Sequence, residues 1–254
     1  EKCFAYLIDF EWQPDGLWKY VDRSEDPQFE IRIPLANRRS ASIARLGVGD
    51  AKKTLGYMTC PSGDPTASIT RMQEQAQQWV DQARSGGLHR RYVWFMLDKQ
   101  FWPRVGYGIC NNLASLDQLE NCLRKPYYEL LPLGGVVRSA PKGLRQMDKG
   151  FYGIGCPDPA IECLVAQLNK LVMHFGCASG VGLQMQSSVE FLIIELGVSE
   201  QPFLVDFVKY GDLVTHCWLK TVWEKCHHFE VSVSIGNLDI SPPRAGDKWL
   251  MQAF

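Results

Sequence analysis

The sequence lacks the features of a membrane or secreted protein. It has no run of 18 apolar residues and no basic leader followed by an apolar segment. Its nine cysteines have irregular spacing, in a chain too large to depend on disulfides, so we expect reduced thiols. These absences predict an intracellular protein, cytoplasmic or nuclear, with no membrane partner. The absence of an initiator Met indicates a piece of a longer protein.

An excess of basic residues is also missing. Lys and Arg total 27 against 28 Asp and Glu, so the chain as a whole has no general affinity for a phosphate backbone. A nucleic-acid surface would therefore depend on local clustering. The most basic stretch is the Gly- and Pro-rich segment 133–159, which is predicted to be a linker or contact loop. Its basic residues include Arg138, Lys142, Arg145 and Lys149.

Period-two alternation predicts antiparallel strands up to about residue 58. Between residues 4 and 12 the apolar side chains share one face, which predicts a half-buried strand; they are Phe4, Tyr6, Ile8, Phe10 and Trp12. Residues 13–16 have the chemistry of a hairpin turn. Further predicted strands cover 17–21, 29–35, 41–48, 53–58 and, late in the chain, 230–235.

Apolar residues at helical spacing dominate after Asp64 and Pro65, which provide a capped helix start. Predicted helices cover about 65–85, 88–102, 113–131, 161–175, 185–196 and 218–226. Pro103 is expected to end or kink the second helix, and Pro126 to break the third. The fold class is therefore α+β, with a short antiparallel sheet followed by a mainly helical region.

Two groups of residues raise the possibility of metal chemistry. Asp9 and Glu11 project from one strand face, where paired carboxylates hold a divalent ion or divide acid and base roles. A small metal-dependent nuclease that uses these carboxylates is thus one alternative. The other is that they lie on the solvent-exposed face of a hairpin and have no catalytic role. A second group contains zinc-ligand types: His216, Cys217, Cys226, His227 and His228. It has no Cys-x-x-Cys pair, so the sequence predicts no metal site there.

A lysine and a Leu-Gly pair carry a resemblance to a known family. Lys2 directly precedes the first predicted strand, and Leu55-Gly56 lies within the apolar segment that a Pro-Ser-Gly-Asp turn closes. This combination resembles the end of the palm of a reverse transcriptase. There, a lysine near the close of the palm is followed by a hairpin with a Leu-Gly pair that grips the primer end.

Further motifs extend the resemblance over nearly the full chain. They include Tyr6-Leu7-Ile8-Asp9, Lys53-Thr54-Leu55-Gly56, Tyr152-Gly153-Ile154-Gly155, Glu195-Leu196-Gly197 and Cys217-Trp218-Leu219-Lys220. The pattern is similar to reverse transcriptases encoded by retroelements (retrotransposons) of algae and other microbial eukaryotes. His216 departs from it, because an Asp is expected before Cys217.

The resemblance implies the C-terminal part of an RNA-directed DNA polymerase. Residues 1–64 would form the palm end and a primer-grip-like hairpin, 65–150 a helical thumb-like domain, and 151–254 a mainly helical extension. Lys2 would be catalytic, as the cation that assists the departing pyrophosphate. The metal-binding aspartates of the family are not in this chain, so the chain alone is predicted to be inactive.

The resemblance also implies partners and binding residues. The partners would be an RNA/DNA template-primer and the rest of the polymerase chain. Template-primer contacts would come from Leu55, Gly56, Tyr57, Arg90, Arg91 and Lys99. Mg²⁺ is expected for the full-length polymerase, but no cofactor is expected in this chain. The competing hypothesis, which the neutral charge favours, is an independent α+β interaction domain with no nucleic-acid role.

Overall fold

The structure is a computed structural model with two compact units, Glu1–Ser68 and Ile69–Phe254. It describes residues 3–14, 16, 18–23, 25–34, 40–236, 238–242, 244 and 246–252. Lys2, the predicted catalytic residue, lies outside the described residues. The mixed α+β class is confirmed, whereas the division at residues 64 and 150 stays a prediction.

Separate strand pairs build the first unit. The strands are β1 (Phe4–Tyr6), β2 (Ile8–Trp12), β3 (Trp18–Asp22), β4 (Arg32–Pro34), β5 (Ser40–Ser42), β6 (Ala44–Leu46), β7 (Lys52–Thr54) and β8 (Tyr57–Thr59). Three pairs are antiparallel, namely β2 with β3, β4 with β5, and β7 with β8. The fourth pair, β1 with β6, is parallel. One antiparallel sheet was expected, but within the described residues each strand has a single ladder partner.

The predicted buried face of β2 is exposed. Ile8, Phe10 and Trp12 expose 57, 53 and 69% of their surface. They do lie on one face, and the predicted hairpin forms with β3, with Ile8 opposite Asp22. Alternation identifies the residues that share a face, but it does not report whether another layer covers that face.

Helices dominate the second unit. They are α1 (Thr66–Ser85), α2 (Arg90–Met96), α3 (Trp102–Val105), α4 (Leu116–Cys122), α5 (Arg124–Leu133), α6 (Lys142–Gln146), α7 (Pro159–Phe175), α8 (Gly180–Leu196), α9 (Phe207–Tyr210) and α10 (Trp218–His228). The predicted start of α1 is confirmed, since the Asp64 carboxylate accepts the Thr66 N–H at 2.9 Å. No helix in the described part of the chain is long and apolar enough to cross a bilayer.

The helices accommodate Pro103 and Pro126, which were expected to interrupt them, in two different ways. The helical path of α2 continues to Val105 through a π turn at Leu97–Phe101, which ends two residues before Pro103. The wider turn accommodates a residue that lacks an N–H and crowds the preceding turn. Pro126 lies in the first turn of α5, where no N–H is needed, and the break falls at Leu123 instead.

The predicted strand at 230–235 is absent from that described segment. Glu230 has a positive φ of 54°, and the Val231 N–H bonds to the Cys226 carbonyl at 2.8 Å, which ties the segment to the end of α10. The side-chain amide of Gln201 then bonds both the N–H and the C=O of Ile235, at 2.8 and 3.0 Å. A side chain therefore replaces the strand partner that the alternation predicted.

Two hydrophobic clusters share α7. The first joins α1 to α5 with the start of α7 and includes Phe101, Leu130 and Cys163. The second joins α7, α8 and α10 and includes Leu164 and Trp223. Because Cys163 and Leu164 are adjacent, one helix contributes to both clusters.

Candidate nucleic-acid interface

Residues 53–58 form a hairpin rather than the single strand that the alternation predicted. Thr54 pairs with Tyr57, and Leu55 and Gly56 make a two-residue turn with φ of 49° and 94°. Positive φ at both central positions is the requirement of a type I′ hairpin turn, in which Gly is favoured and Leu is not. Placing Leu55 in the left-handed region costs about 1–2 kcal/mol.

The hairpin has a bonded base and an exposed tip. The Tyr6 hydroxyl donates to the Asp50 carbonyl at 2.8 Å and is 3.3 Å from the Thr59 carbonyl. The Thr54 and Thr59 hydroxyls lie 3.0 Å apart across the ladder. Beyond this base, the Leu55 side chain is 90% exposed, while Gly56 and Tyr57 are half-buried. The base therefore holds one apolar side chain out in solvent.

The three predicted thumb cations lie along one helical path but at different positions along its axis. Arg90 and Arg91 begin α2, and Lys99 lies in the π turn, about 12 Å further along the axis. All three are exposed, and none forms an ion pair with an acidic residue in the described part of the chain. Arg90 lies against Gly135, where an added Cβ would meet its Cδ at 3.0 Å.

A larger basic surface lies beside α5, and it consists of two grooves with shared residues. The first groove, of about 860 Å³, is lined by the cations Arg84, Arg124, Lys125 and Arg138 and by the acid Glu129. The second, of about 250 Å³, adds Lys142 and Arg145 and the acid Glu120. Six cations thus face two carboxylates, in a chain with nearly equal totals of basic and acidic residues. We call the two together the α5 groove.

Both carboxylates of the α5 groove are already paired. Glu129 accepts from Gln77 at 3.0 Å and from Arg84 at 2.8 Å, and these hydrogen bonds lower the pKa of its carboxyl. Glu120 lies 3.1 Å from the Lys142 ammonium. Arg124, Lys125 and Arg138 form no ion pair with a described acidic residue.

One aromatic ring lines both parts of the groove. Tyr128 borders each of them and is half-buried on α5. The guanidinium of Arg145 lies 5.4 Å from its ring centroid, within cation–π range. The ring is therefore held in place between two sets of cations.

Part of the α5 groove was visible in the sequence. Arg138, Lys142 and Arg145 belong to the stretch that local charge marked as a contact loop. Arg84, Arg124 and Lys125 were missed, because the packing of separate segments brings them to the groove and no local motif marks them. Arg90, Arg91 and Lys99 do not line either part of it.

The proposed metal ligands have other roles in the structure. The Asp9 carboxylate lies 2.9 Å from Arg23 Nε, and the hydrogen bond from Arg23, with a second from the Phe10 N–H, lowers its pKa. Glu11 lies opposite Lys19 in the β2–β3 ladder. Of the two carboxylates in the nuclease alternative, Asp9 is therefore engaged by an arginine, whereas Glu11 forms no ion pair with a described residue.

The sulfur atoms of the second group have structural roles. Cys217 caps α10, because its sulfur accepts the Lys220 N–H at 3.4 Å. Cys226 is buried, which raises the pKa of its thiol to about 11. No group of three or more His, Cys, Asp or Glu within the described ranges could hold a metal ion.

Comparison of the chain with models of known protein families, with curated proteins and with solved structures finds no match. The similarity to reverse transcriptases therefore stays an interpretation of the sequence motifs.

Proposed function

We propose that the chain is part of an RNA-directed DNA polymerase and contributes template-primer binding. The observation that carries this proposal is the β7–β8 hairpin, with an exposed leucine at a left-handed position. The turn would be more stable with Asn or Gly at position 55, and the leucine side chain gains little from burial there. Backbone strain at an exposed tip supports a role in contact with a ligand.

Arg90 and Arg91 support the proposal from the second unit. They occupy the first turn of α2, where the helix macrodipole disfavours positive charge. Phosphate contacts would offset that cost, and Lys99 would extend them along the helix. The half-buried Tyr57 and the flexible Gly56 would shape the hairpin around Leu55.

Polymerisation itself would depend on residues outside this chain. The polymerase would supply the metal-binding aspartates and Mg²⁺, and Lys2 would act as the catalytic cation beside them. The partners under this proposal are the template-primer and the rest of the polymerase, in the cytoplasm or nucleus. We expect the chain alone to bind nucleic acid without extending a primer.

The hairpin is tested by Leu55→Asn. Asn tolerates the left-handed conformation, so the free energy of unfolding of the first unit should rise by about 0.5–1 kcal/mol. Loss of the apolar contact should weaken binding to an RNA–DNA hybrid with a recessed DNA 3′ end about fivefold, or about 1 kcal/mol. Fluorescence anisotropy and urea unfolding measure the two effects.

Leu183→Gln, at an exposed position on α8, is the matched control and should leave hybrid affinity unchanged. If Leu55→Asn stabilised the protein but bound the hybrid as tightly as wild type, the hairpin would have no role in template-primer binding.

A second candidate function is the independent interaction domain. The exposed face of Ile8, Phe10 and Trp12 favours it, since adjoining large apolar side chains in solvent are typical of interaction surfaces. The two candidates differ in one measurement. Failure to bind any hybrid or single strand at 50 mM salt would favour the interaction domain, because phosphate contacts are strongest at low salt.

A further inference from the structure

The α5 groove holds more positive charge than its two carboxylates neutralise. Arg124 and Lys125 follow the end of α4 at Cys122 and begin α5, so the macrodipole of α4 favours these cations while that of α5 opposes them, and the two effects offset each other. Neither forms an ion pair with a described acidic residue. Their side chains are exposed, so they add little to the core. Both charges are therefore exposed and free of ion pairs with described residues, and an anionic ligand can reach them.

The chemistry of the lining favours phosphate over carboxylate. Three of the four cations in the larger part are arginines, whose planar guanidinium groups bind phosphate oxygens in a bidentate manner. They come from α1, from α5 and from the segment after α5, and all line one groove of about 860 Å³. A ligand with several phosphates can contact more of these cations than a single anion does.

The aromatic ring narrows the ligand class further. Tyr128 lies between the two parts of the groove, with cations on both sides. Basic grooves interrupted by aromatic side chains are typical of single-strand binding, where phosphates follow the cations and unpaired bases stack on the rings. A duplex keeps its bases paired, and so could not use the ring in this way.

We propose that the α5 groove binds a single strand of RNA or DNA, with Arg124, Lys125 and Arg138 on its phosphates and Tyr128 against a base. This site is distinct from the hairpin and from Arg90, Arg91 and Lys99. It rests on residues 69–254 alone and does not require the polymerase assignment.

The test uses the full chain and a labelled 20-nucleotide single strand without secondary structure. Arg124→Ala with Lys125→Ala removes two exposed charges, and we expect α5 to stay folded because neither side chain is buried. Each lost phosphate contact should lower the log–log salt slope by about 0.7 for a single strand. At 100 mM salt we expect at least about tenfold weaker binding. Tyr128→Leu should weaken binding by about 1 kcal/mol, or roughly fivefold, with no change in slope.

The matched control is Arg104→Ala with Lys248→Ala, which removes the same charge from exposed sites outside the groove. It should change single-strand affinity less than twofold. Equal losses in the two double variants, or an unchanged slope after the groove substitutions, would overturn the proposal. So would equally effective competition by polyglutamate at matched charge.

The hairpin variant separates this proposal from the proposed function. Leu55→Asn should leave single-strand binding by the groove intact, whereas the groove variant should lose it. Loss of hybrid binding in Leu55→Asn with no effect of Arg124→Ala and Lys125→Ala on single strands would support the hairpin and reject the groove. The reverse pattern would support the groove and reject the hairpin.

Discussion

At the residue scale, the feature with the clearest consequence for stability is a fully buried lysine. Lys225 has no exposed surface, and its ammonium donates to the Thr221 carbonyl at 3.0 Å and the Ala114 carbonyl at 3.4 Å. Two buried amides lie along the same polar path, since Gln167 donates to the Asn112 carbonyl at 3.2 Å. No described acidic residue forms an ion pair with Lys225, and burial lowers the pKa of its amine. The Cys163 thiol when ionised, the Glu224 carboxylate and the Cys226 thiol when ionised act in the opposite direction.

Lys225→Met is expected to stabilise the protein at pH 7 by roughly 1–2 kcal/mol, because it replaces a buried cation with an apolar chain of similar length. The pKa of Lys225 is lower in the folded than in the unfolded state, so between those two values the unfolded state binds more protons. Wild-type stability therefore rises with pH in that window, and the advantage of the variant should shrink. Urea unfolding at pH 7 and pH 9.5 measures this.

Cys122 and Cys156 affect wild type and variant alike, because Lys225 does not contribute to the pKa of either thiol. The charge of Lys225 lowers the pKa of the Cys163 and Cys226 thiols, so the difference between the two proteins reports Lys225 together with these two thiols. Cys122, Cys156 and Cys163 have pKa values raised to about 12, 11 and 11 by burial. An advantage of Lys225→Met that stayed constant with pH would mean that the amine keeps its ordinary pKa in the fold.

At the scale of elements, the sequence predicted best where one helix or strand could be recognised on its own. The spacing of Ile69, Met72, Ala76 and Val80 marks α1, and these residues are buried as expected. The segment 230–235 failed because its backbone bonds depend on Gln201, some 30 residues away. The residues of the candidate site also fall into two groups, those recognised from local sequence and those brought together only by packing. Leu55-Gly56 was found by motif and Arg138 by local charge, whereas Arg84 and Arg124 meet only through the packing of α1 and α5.

The start of α4 provides a test of local structure. The Ser115 hydroxyl accepts the Gln118 N–H at 3.3 Å, and the Gln118 side chain accepts the Ser115 N–H at 3.0 Å, which together form a capping box. Ser115→Ala should lower the free energy of unfolding by about 1 kcal/mol with an unchanged denaturant slope. Ser188→Ala, inside α8, is the control and should be neutral or slightly stabilising. An equal loss at both positions would show that the cap itself contributes nothing.

At the scale of the whole molecule, local clustering of charge matters more than net charge. The chain has a formal charge of −1, yet six cations line the α5 groove and three more lie on the path from Arg90 to Lys99. Acidic residues elsewhere balance them. The near-zero net charge argued against nucleic-acid binding. That argument does not apply to a surface on which the cations are clustered.

The triple variant Arg90→Ala, Arg91→Ala and Lys99→Ala tests the predicted thumb contacts. If all three contact phosphates, the log–log salt slope for an RNA–DNA hybrid should fall by about 2.7, or about 0.9 per contact. Wild-type affinity should be no tighter than roughly micromolar at moderate salt, as in non-specific binding. A salt titration by anisotropy measures both quantities. An unchanged affinity and slope would make these residues ordinary surface charges.

The bonds between Gln201 and Ile235 have a consequence for solubility during folding and storage. The segment that contains Val231, Val233 and Ile235 has the alternating apolar pattern of an aggregation-prone strand, and such strands recruit other chains through unsatisfied backbone groups at their edges. The Gln201 side-chain amide bonds both backbone groups of Ile235, so neither group is free to pair with another strand. Intermolecular β-pairing at that residue must first break two hydrogen bonds, so the folded state opposes self-association through Ile235.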